Sequence, residues 1–223
     1  MSTRRTTATG AHNATPGNTA AQLRERGPRP DEGTPRRSGA ATRARILDTA
    51  AELFYANGLR AVSADRIIER VGITKVTFYR HFRTKDELIV AYLERRTAWE
   101  HQAMDDVRAA AGDDIELAVA RLAHGMGTEI CRPGFRGCPF INAAAEYADP
   151  DQPVRRLVAT HREWFIGQLR ELLTAAGIAH PEPAAQELMM LRDGAAIAGY
   201  LGDPTTVANA LERAALAIIT AHR

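Results

Sequence analysis

Cysteine is nearly absent from this chain of 223 residues: there are two, Cys131 and Cys138. Two thiols do not make the disulfide framework of a small secreted domain. No apolar run approaches the roughly 18 residues that a membrane span needs. The N-terminus carries Arg4 and Arg5 but no apolar core after them, so a secretory signal is not indicated and a cytoplasmic protein is expected. Runs of alternating β-branched residues are missing, which argues against a sheet. Also missing are a nucleophile elbow, a phosphate-binding loop and a dinucleotide fingerprint, so an enzyme is the remotest reading. His124 and His161 have no partners at metal-ligand spacing, and neither a metal nor a cofactor is expected.

The first 38 residues lack Val, Ile, Phe, Tyr and Trp, and Leu23 is their only branched aliphatic. Such a stretch cannot bury enough apolar area to offset the entropy of ordering it, so residues 1–38 read as a disordered basic arm. That arm either tracks a phosphate backbone or is a dispensable leader. The overall charge of +2 is small, but it is unevenly spread. Residues 1–90 hold 16 Lys/Arg against 9 Asp/Glu, a balance of +7, and residues 91–223 hold 13 against 18, a balance of −5. A basic front and an acidic back suggest a polyanion-binding unit joined to one that does not touch nucleic acid.

Helical periodicity begins with Ile46, Leu47, Ala50, Leu53 and Phe54, which form one apolar stripe ended by Asn57-Gly58. Ser63 is placed to cap a second helix, Ala64 to Val71, that buries Ile67, Ile68 and Val71. Gly72 breaks it, and Thr74 caps a third helix running to His81. That helix buries Val76 or Phe78 together with Phe82. Thr84-Lys85-Asp86-Glu87 is a capping box that starts a long helix to about Arg108. Further helices are expected at about 114–130, from Pro139 to near Asp149-Pro150, at about 153–176, 184–201 and 205–221. The fold class is therefore all-α, with about nine helices. An N-terminal three-helix unit over residues 39–86 is followed by a larger helical domain over residues 87–223.

Two short helices joined by a tight turn containing glycine form a helix-turn-helix, whose second helix enters the DNA major groove. Thr74, Thr77 and His81 lie along one side of that second helix, and Lys75 and Tyr79 form a neighbouring ridge. Hydroxyls, an ammonium and a phenol suit phosphate oxygens and base edges. Lys85, in the first turn of a helix, opposes the helix dipole unless an anion such as a phosphate compensates it. Ser63 and Arg43 are placed to reach the DNA backbone. Ser63 and Thr74 serve equally as plain helix caps.

Gly72 to Phe82, followed by Thr84-Lys85-Asp86-Glu87-Leu88, resembles the TetR family of one-component transcriptional regulators over roughly residues 43–88. Val76 departs from the family pattern, which very often has glycine there, and offers apolar contact to a thymine methyl. In that pattern Arg80 faces away and pairs with an acid. Gly137-Cys138-Pro139-Phe140-Ile141-Asn142 looks like a motif of one family branch. The resemblance implies a homodimer on a palindromic double-stranded operator, released by a small-molecule effector, with repression the usual mode. It also implies that the last two helices meet their copies in a four-helix bundle. The candidate seam is Leu188, Leu191, Ala195 and Ala198 with Leu211, Ala215, Ile218 and Ile219.

Candidate pocket residues on the middle helices are Trp99, Met104, His124, Phe140, Asn142, Glu146, Trp164, Phe165 and Gln168. They supply the apolar walls and few polar anchors that a ligand site needs, although any one of them serves equally as core. Cys131 and Cys138 suggest an alternative in which thiol oxidation releases the DNA. Cys138 precedes a helix start, where the dipole lowers a thiol pKa.

Overall fold

Four side-chain and glycine caps divide the first part of the chain into helices. The computed structural model describes residues 35–223. These begin with α1 (Pro35–Asn57), α2 (Ala64–Val71), α3 (Lys75–His81) and α4 (Lys85–Ala111). The Ser63 hydroxyl accepts the Arg66 N–H at 3.2 Å and starts α2. Gly72 ends it in the left-handed region, at φ 74°, which only a residue without Cβ enters cheaply. Thr74 accepts the Thr77 N–H at 3.1 Å and starts α3. Thr84 accepts the Glu87 N–H at 3.0 Å. The Glu87 carboxylate reaches back to the Arg83 N–H at 2.8 Å, one residue before the expected box partner. The basic arm lies outside the described residues up to residue 34, but residues 35–38 belong to α1. Pro35 suits a first helical position because the N–H it lacks would have no partner there.

Ile46, Ala50 and Phe54 of α1 pack on Ile67 of α2 and on Phe78 and Phe82, all essentially without exposure. Phe78 rather than Val76 is the buried residue of α3, since Val76 is 78% exposed. The cluster does not stop at the end of the helix-turn-helix. It continues through Leu88, Ile89, Tyr92 and Leu93 of α4 into Cys138, Phe140, Ala143 and Tyr147. The N-terminal unit and the start of the larger domain therefore share one core.

The remaining elements are α5 (Ile115–Ile130), α6 (Pro139–Glu146), α7 (Pro153–Ala175), α8 (Pro181–Leu201) and α9 (Pro204–Ala221). Among the described residues there are nine helices and no strand. α6 ends at Glu146, short of the expected Asp149-Pro150. α8 begins at Pro181 instead of Ala184, because Pro181 and Pro183 occupy the first turn, where a missing N–H costs nothing. α8 packs on α7 and α9, α9 on α5, and α4 on α5 and α7. A Cβ on Gly127 would stand 2.5 Å from the Ala208 Cβ, so α5 and α9 approach as closely as they do only because residue 127 is glycine. Gly199 meets Ile130 in the same way.

Two buried polar residues tie α4, α7 and α8 together. Glu100, 6% exposed, accepts from Arg96 Nε at 3.1 Å, from Arg192 Nη2 at 2.9 Å and from His161 Nε2 at 3.1 Å. Burial alone would raise its pKa. The His161 hydrogen bond and the Arg192 and Arg96 guanidiniums outweigh burial and hold it at about 2. A depressed carboxylate contributes stability above its ordinary pKa and loses it as pH falls toward the folded value. Glu100→Gln should therefore be less stable than the wild type at neutral pH by roughly 3 kcal/mol, given the shift from 4.5 to about 2. Urea melts over a pH series should show that gap closing between about 4.5 and about 2. A gap constant across this window would mean that the carboxylate is not ionised in the folded protein.

Candidate nucleic-acid interface

α3 turns Lys75, Val76, Tyr79 and Arg80 to solvent, with Thr77 half-buried behind them. Phe78 anchors the helix from below. Its ring meets the Tyr79 ring edge-on at 5.2 Å and so props the phenol outward. Lys75 Nζ lies 2.8 Å from Asp65 of α2. Both side chains are widely exposed, so water screens this pair and a phosphate can replace the carboxylate. The hydrogen bond to Asp65 raises the Lys75 pKa, which keeps the ammonium charged. Thr74 and Thr77 share a hydroxyl hydrogen bond at 3.0 Å. Ser63 and Thr74 both cap helices by accepting, and a hydroxyl that accepts still has a proton to donate.

The placements of His81, Lys85 and Arg80 differ from the sequence reading, and Arg43 adds a contact to it. His81 is half-buried, and its Cε1 lies about 4.0 Å from where a Cβ on Gly39 would stand. Its Nε2 is enclosed without a partner among the described residues. Three residues beyond Phe78, it lies only about 60° around the helix from that buried ring, so it joins the α1 side and not the open ridge. Lys85 donates to the Arg60 carbonyl at 3.2 Å, and burial lowers its pKa. It is folded back on the α1–α2 loop. Arg43 is exposed, but its guanidinium lies over the Phe82 ring at 4.6 Å. Arg80 has no ion pair among the described residues and stands on the exposed ridge beside Val76. A four-residue offset on the helix was the signal available for it.

The α1–α2 loop is fastened to α6 by a residue that the sequence assigned to a pocket. Glu146 Oε1 accepts the Leu59 N–H at 2.8 Å, and Oε2 accepts the Arg60 N–H at 2.6 Å. Arg60 Nε donates to the Glu146 carbonyl at 2.7 Å, and the Arg60 guanidinium lies over Tyr147 at 5.2 Å. The Tyr147 hydroxyl donates to Asp86 at 2.9 Å, at the start of α4. At the other end of α6, the Tyr55 hydroxyl of α1 donates to the Gly137 carbonyl at 3.0 Å and accepts the Arg136 N–H at 2.9 Å. Asn142 donates to the Arg136 carbonyl at 2.9 Å. The motif from Gly137 to Asn142 is thus a clamp on α1, with Gly137 in the left-handed region at φ 82°.

A cavity of about 680 Å³ opens among α4, α5, α7, α8 and α9. Of the residues expected there, Trp99, Met104 and Phe165 line it. The others do not. His124 is exposed on the outer side of α5. Phe140 is core, stacked on His161 at 3.7 Å. The Trp164 ring lies tilted against His101, with centroids 3.8 Å apart. Gln168 points toward Glu171, Asn142 holds the α6 clamp and Glu146 holds the loop. The sequence reading missed Tyr92, Arg96, Glu100, Cys138 and Arg192, all of which line the cavity.

Most of the expected seam also turns inward. Leu188, Leu191, Leu211 and Ala215 line the cavity. Ala195 and Ile219 are buried within the chain, Ile218 is half-buried and Ala198 alone is exposed. α8 carries a second apolar stripe, Met190, Gly194, Ile197 and Leu201, and this one is open to solvent, with Leu201 76% exposed. Periodicity finds both stripes but does not say which meets the chain's own core. The two cysteines occupy unlike places. Cys131 is exposed at the end of α5, whereas Cys138 is buried in the cavity wall beside Arg192. Among the described residues, no group of three or more His, Cys, Asp and Glu is placed to hold a metal ion, and no helix is long and apolar enough to cross a membrane.

The sequence profile of the bacterial regulatory proteins of the tetR family matches residues 46–92. A TetR-family transcriptional regulator from Streptomyces coelicolor, solved by crystallography, is 38% identical, with 82% of this chain and 96% of that one covered and a TM-score of 0.78. The transcriptional repressor NemR of Escherichia coli is 24% identical over 133 residues, 59% of this chain and 67% of its own. The transcriptional activator FasR of Mycolicibacterium smegmatis is 40% identical, but over only 53 residues, 24% of either chain.

The exposed and buried positions of α3 should separate cleanly in stability. Alanine at Lys75, Val76, Tyr79 or Arg80 should change unfolding free energy by no more than about 0.5 kcal/mol. Phe78→Ala should cost about 3–5 kcal/mol. Urea unfolding measures both, and a large loss at any of the four outward positions would contradict the assigned orientation of the helix.

Proposed function

The chain belongs to the TetR family of transcriptional regulators, and on that premise we propose that it binds a palindromic operator as a homodimer and is released by a small molecule held in its helical domain. The single observation that carries this reading is the outward ridge of α3, fixed by the Thr74 cap and the Phe78 anchor. Lys75, Thr77 and Tyr79 serve phosphate oxygens and base edges, and Val76 meets a thymine methyl. Arg43, Ser63 and Thr74 flank the ridge and hold the DNA backbone. Arg80 adds a cation that the sequence reading left out. His81 and Lys85 act indirectly in this reading, by setting α3 against α1 and α4 against the α1–α2 loop. Much of the affinity is electrostatic and falls with salt.

The two α3 helices of a dimer must be spaced by about 34–36 Å to enter successive major grooves. The seam we infer is the open stripe of α8, where Gly194 between Met190 and Ile197 permits close helix approach. A two-fold contact is self-complementary and suits such a stripe. The cavity is the effector site. Cys138 and Pro139 line it at one end of α6, and Glu146 holds the α1–α2 loop at the other. A molecule that fits the cavity better in one arrangement of α6 than in another therefore shifts the spacing of the readers. Repression is the proposed sign, supported by the family's repressor relative.

Duplexes selected from random or genomic DNA by the purified protein provide the test. Lys75→Ala and Tyr79→Ala should each weaken binding to the selected duplex about tenfold or more in a mobility shift, with the dimer intact. Unchanged affinity in both would refute the reading face. Ile197→Glu combined with Leu201→Glu should convert a dimer to a folded monomer in analytical ultracentrifugation and abolish tight operator binding. A dimer that survives both charges would place the seam elsewhere.

A further inference from the structure

The cavity has an apolar body and one polar end. Met104, Val107, Leu122, Leu169 and Leu188 supply the body. At the polar end, the Glu100 oxygens are already shared among three donors, Arg96, His161 and Arg192. Glu129 Oε2 takes Arg96 Nη1 at 3.2 Å and lies 3.7 Å from Arg132 Nη2. Both carboxylates at this end are thus already paired with arginine or histidine donors.

Donors are left open instead. Arg96 uses Nε and Nη1, and its Nη2 has no partner among the described residues. Arg192 gives Nη2 to Glu100, its Nη1 lies 3.6 Å from Asp193 and its side chain also meets Cys138, while its guanidinium lies over the Phe165 ring at 4.5 Å. The Tyr92 side chain is 8% exposed, lines the cavity and makes no hydrogen bond among the described residues. Burial pushes its pKa up, so it meets a guest as a neutral O–H. From the cavity wall this hydroxyl is free to donate to an acceptor in the site.

Formal charge points the same way. The linked network contains Arg96, Arg132, Arg162 and Arg192 against Glu100, Glu129 and Asp193, an excess of one positive charge. The other charged groups of the lining cancel. Arg95 is paired with Asp48, and Arg121 is matched in number by Glu52. His161 donates from Nε2 to Glu100, and its Nδ1 is buried with no partner among the described residues.

We propose that the molecule this cavity selects is a lipophilic monocarboxylate, whose acid group is held by Tyr92, Arg96 and Arg192 and whose hydrocarbon part fills the apolar body. The proposal rests on the effector reading of the same cavity. One carboxylate supplies the acceptors that the open donors need, through charge-assisted hydrogen bonds, and brings the network to neutrality. A cation meets the excess positive charge of the network.

Calorimetric titration of the full-length protein with matched probes tests this. Dodecanoate and 2-naphthoate should bind at least about tenfold more tightly than 1-dodecanol and 2-naphthol, and dodecyltrimethylammonium should not bind. Tyr92→Phe should lower carboxylate affinity about tenfold, with no loss of thermal stability, because its hydroxyl has no partner to lose. Arg192→Gln should erase the preference for acid over alcohol. Alcohols that bind as tightly as acids, no binding of either carboxylate, or unchanged carboxylate affinity in Tyr92→Phe would each overturn the proposal. Operator release is read separately. Release by a neutral apolar compound, with no carboxylate bound, would uphold the effector reading and overturn the carboxylate. A carboxylate that binds with the stated preference but leaves operator affinity unchanged would support the site and refute its role as effector.

Discussion

One carboxylate receives two backbone amides of the loop between α1 and α2 and fastens that loop to α6. Glu146 accepts the Leu59 and Arg60 N–H groups in a bidentate arrangement, and Arg60 answers by donating to the Glu146 carbonyl. Hydrogen bonds to an ionised acceptor are about twice as strong as neutral ones. This pair also spares the α1–α2 loop two unsatisfied donors. Without it the loop is held to α6 by Tyr147 through Arg60 and Asp86, and the position of α2 and α3 relative to the larger domain is less defined.

α6 is short, and both of its ends matter. Cys138 and Pro139 form part of the cavity wall, and Glu146 closes the helix at the loop. The Tyr55 clamp on Gly137 and Arg136 and the Glu146 clamp on Leu59 and Arg60 grip α1 and its loop at two points. Under the proposed release mechanism, α6 held in this way carries a displacement at the cavity end to the loop end, because packed interfaces are bistable and do not deform continuously. The Glu100 network serves the opposite need. It fixes α4, α7 and α8 around an open space, at the expense of burying charge that must be paired on every side.

What the sequence made legible was local. Ser63, Thr74 and Thr84 act on amides three residues away, and Gly72 acts on its own backbone, so the helix-turn-helix and its outward residues could be read directly. Distant pairings could not. Glu146 meets residues 86 and 87 positions earlier in the chain, and no spacing rule connects an acid at the end of one helix to a loop so far away. Glu100 likewise looked like any acid on an amphipathic helix. α8 misled for a different reason. It has two apolar stripes, and the leucine-rich one fills the chain's own interior, while the methionine, glycine and isoleucine stripe remains outside. His81 reads as lying on the DNA-facing side with Thr74 and Thr77 because in a helix of seven residues one step separates that side from the Phe78 side.

Residue-resolved hydrogen exchange at the Leu59 and Arg60 amides tests the central claim most directly. In the wild type both should exchange as slowly as amides of the surrounding core. In Glu146→Ala both should approach the rate of open loops, while the Phe78 amide inside α3 remains slow. Fast exchange of the two amides in the wild type, or equal protection in both proteins, would contradict the account.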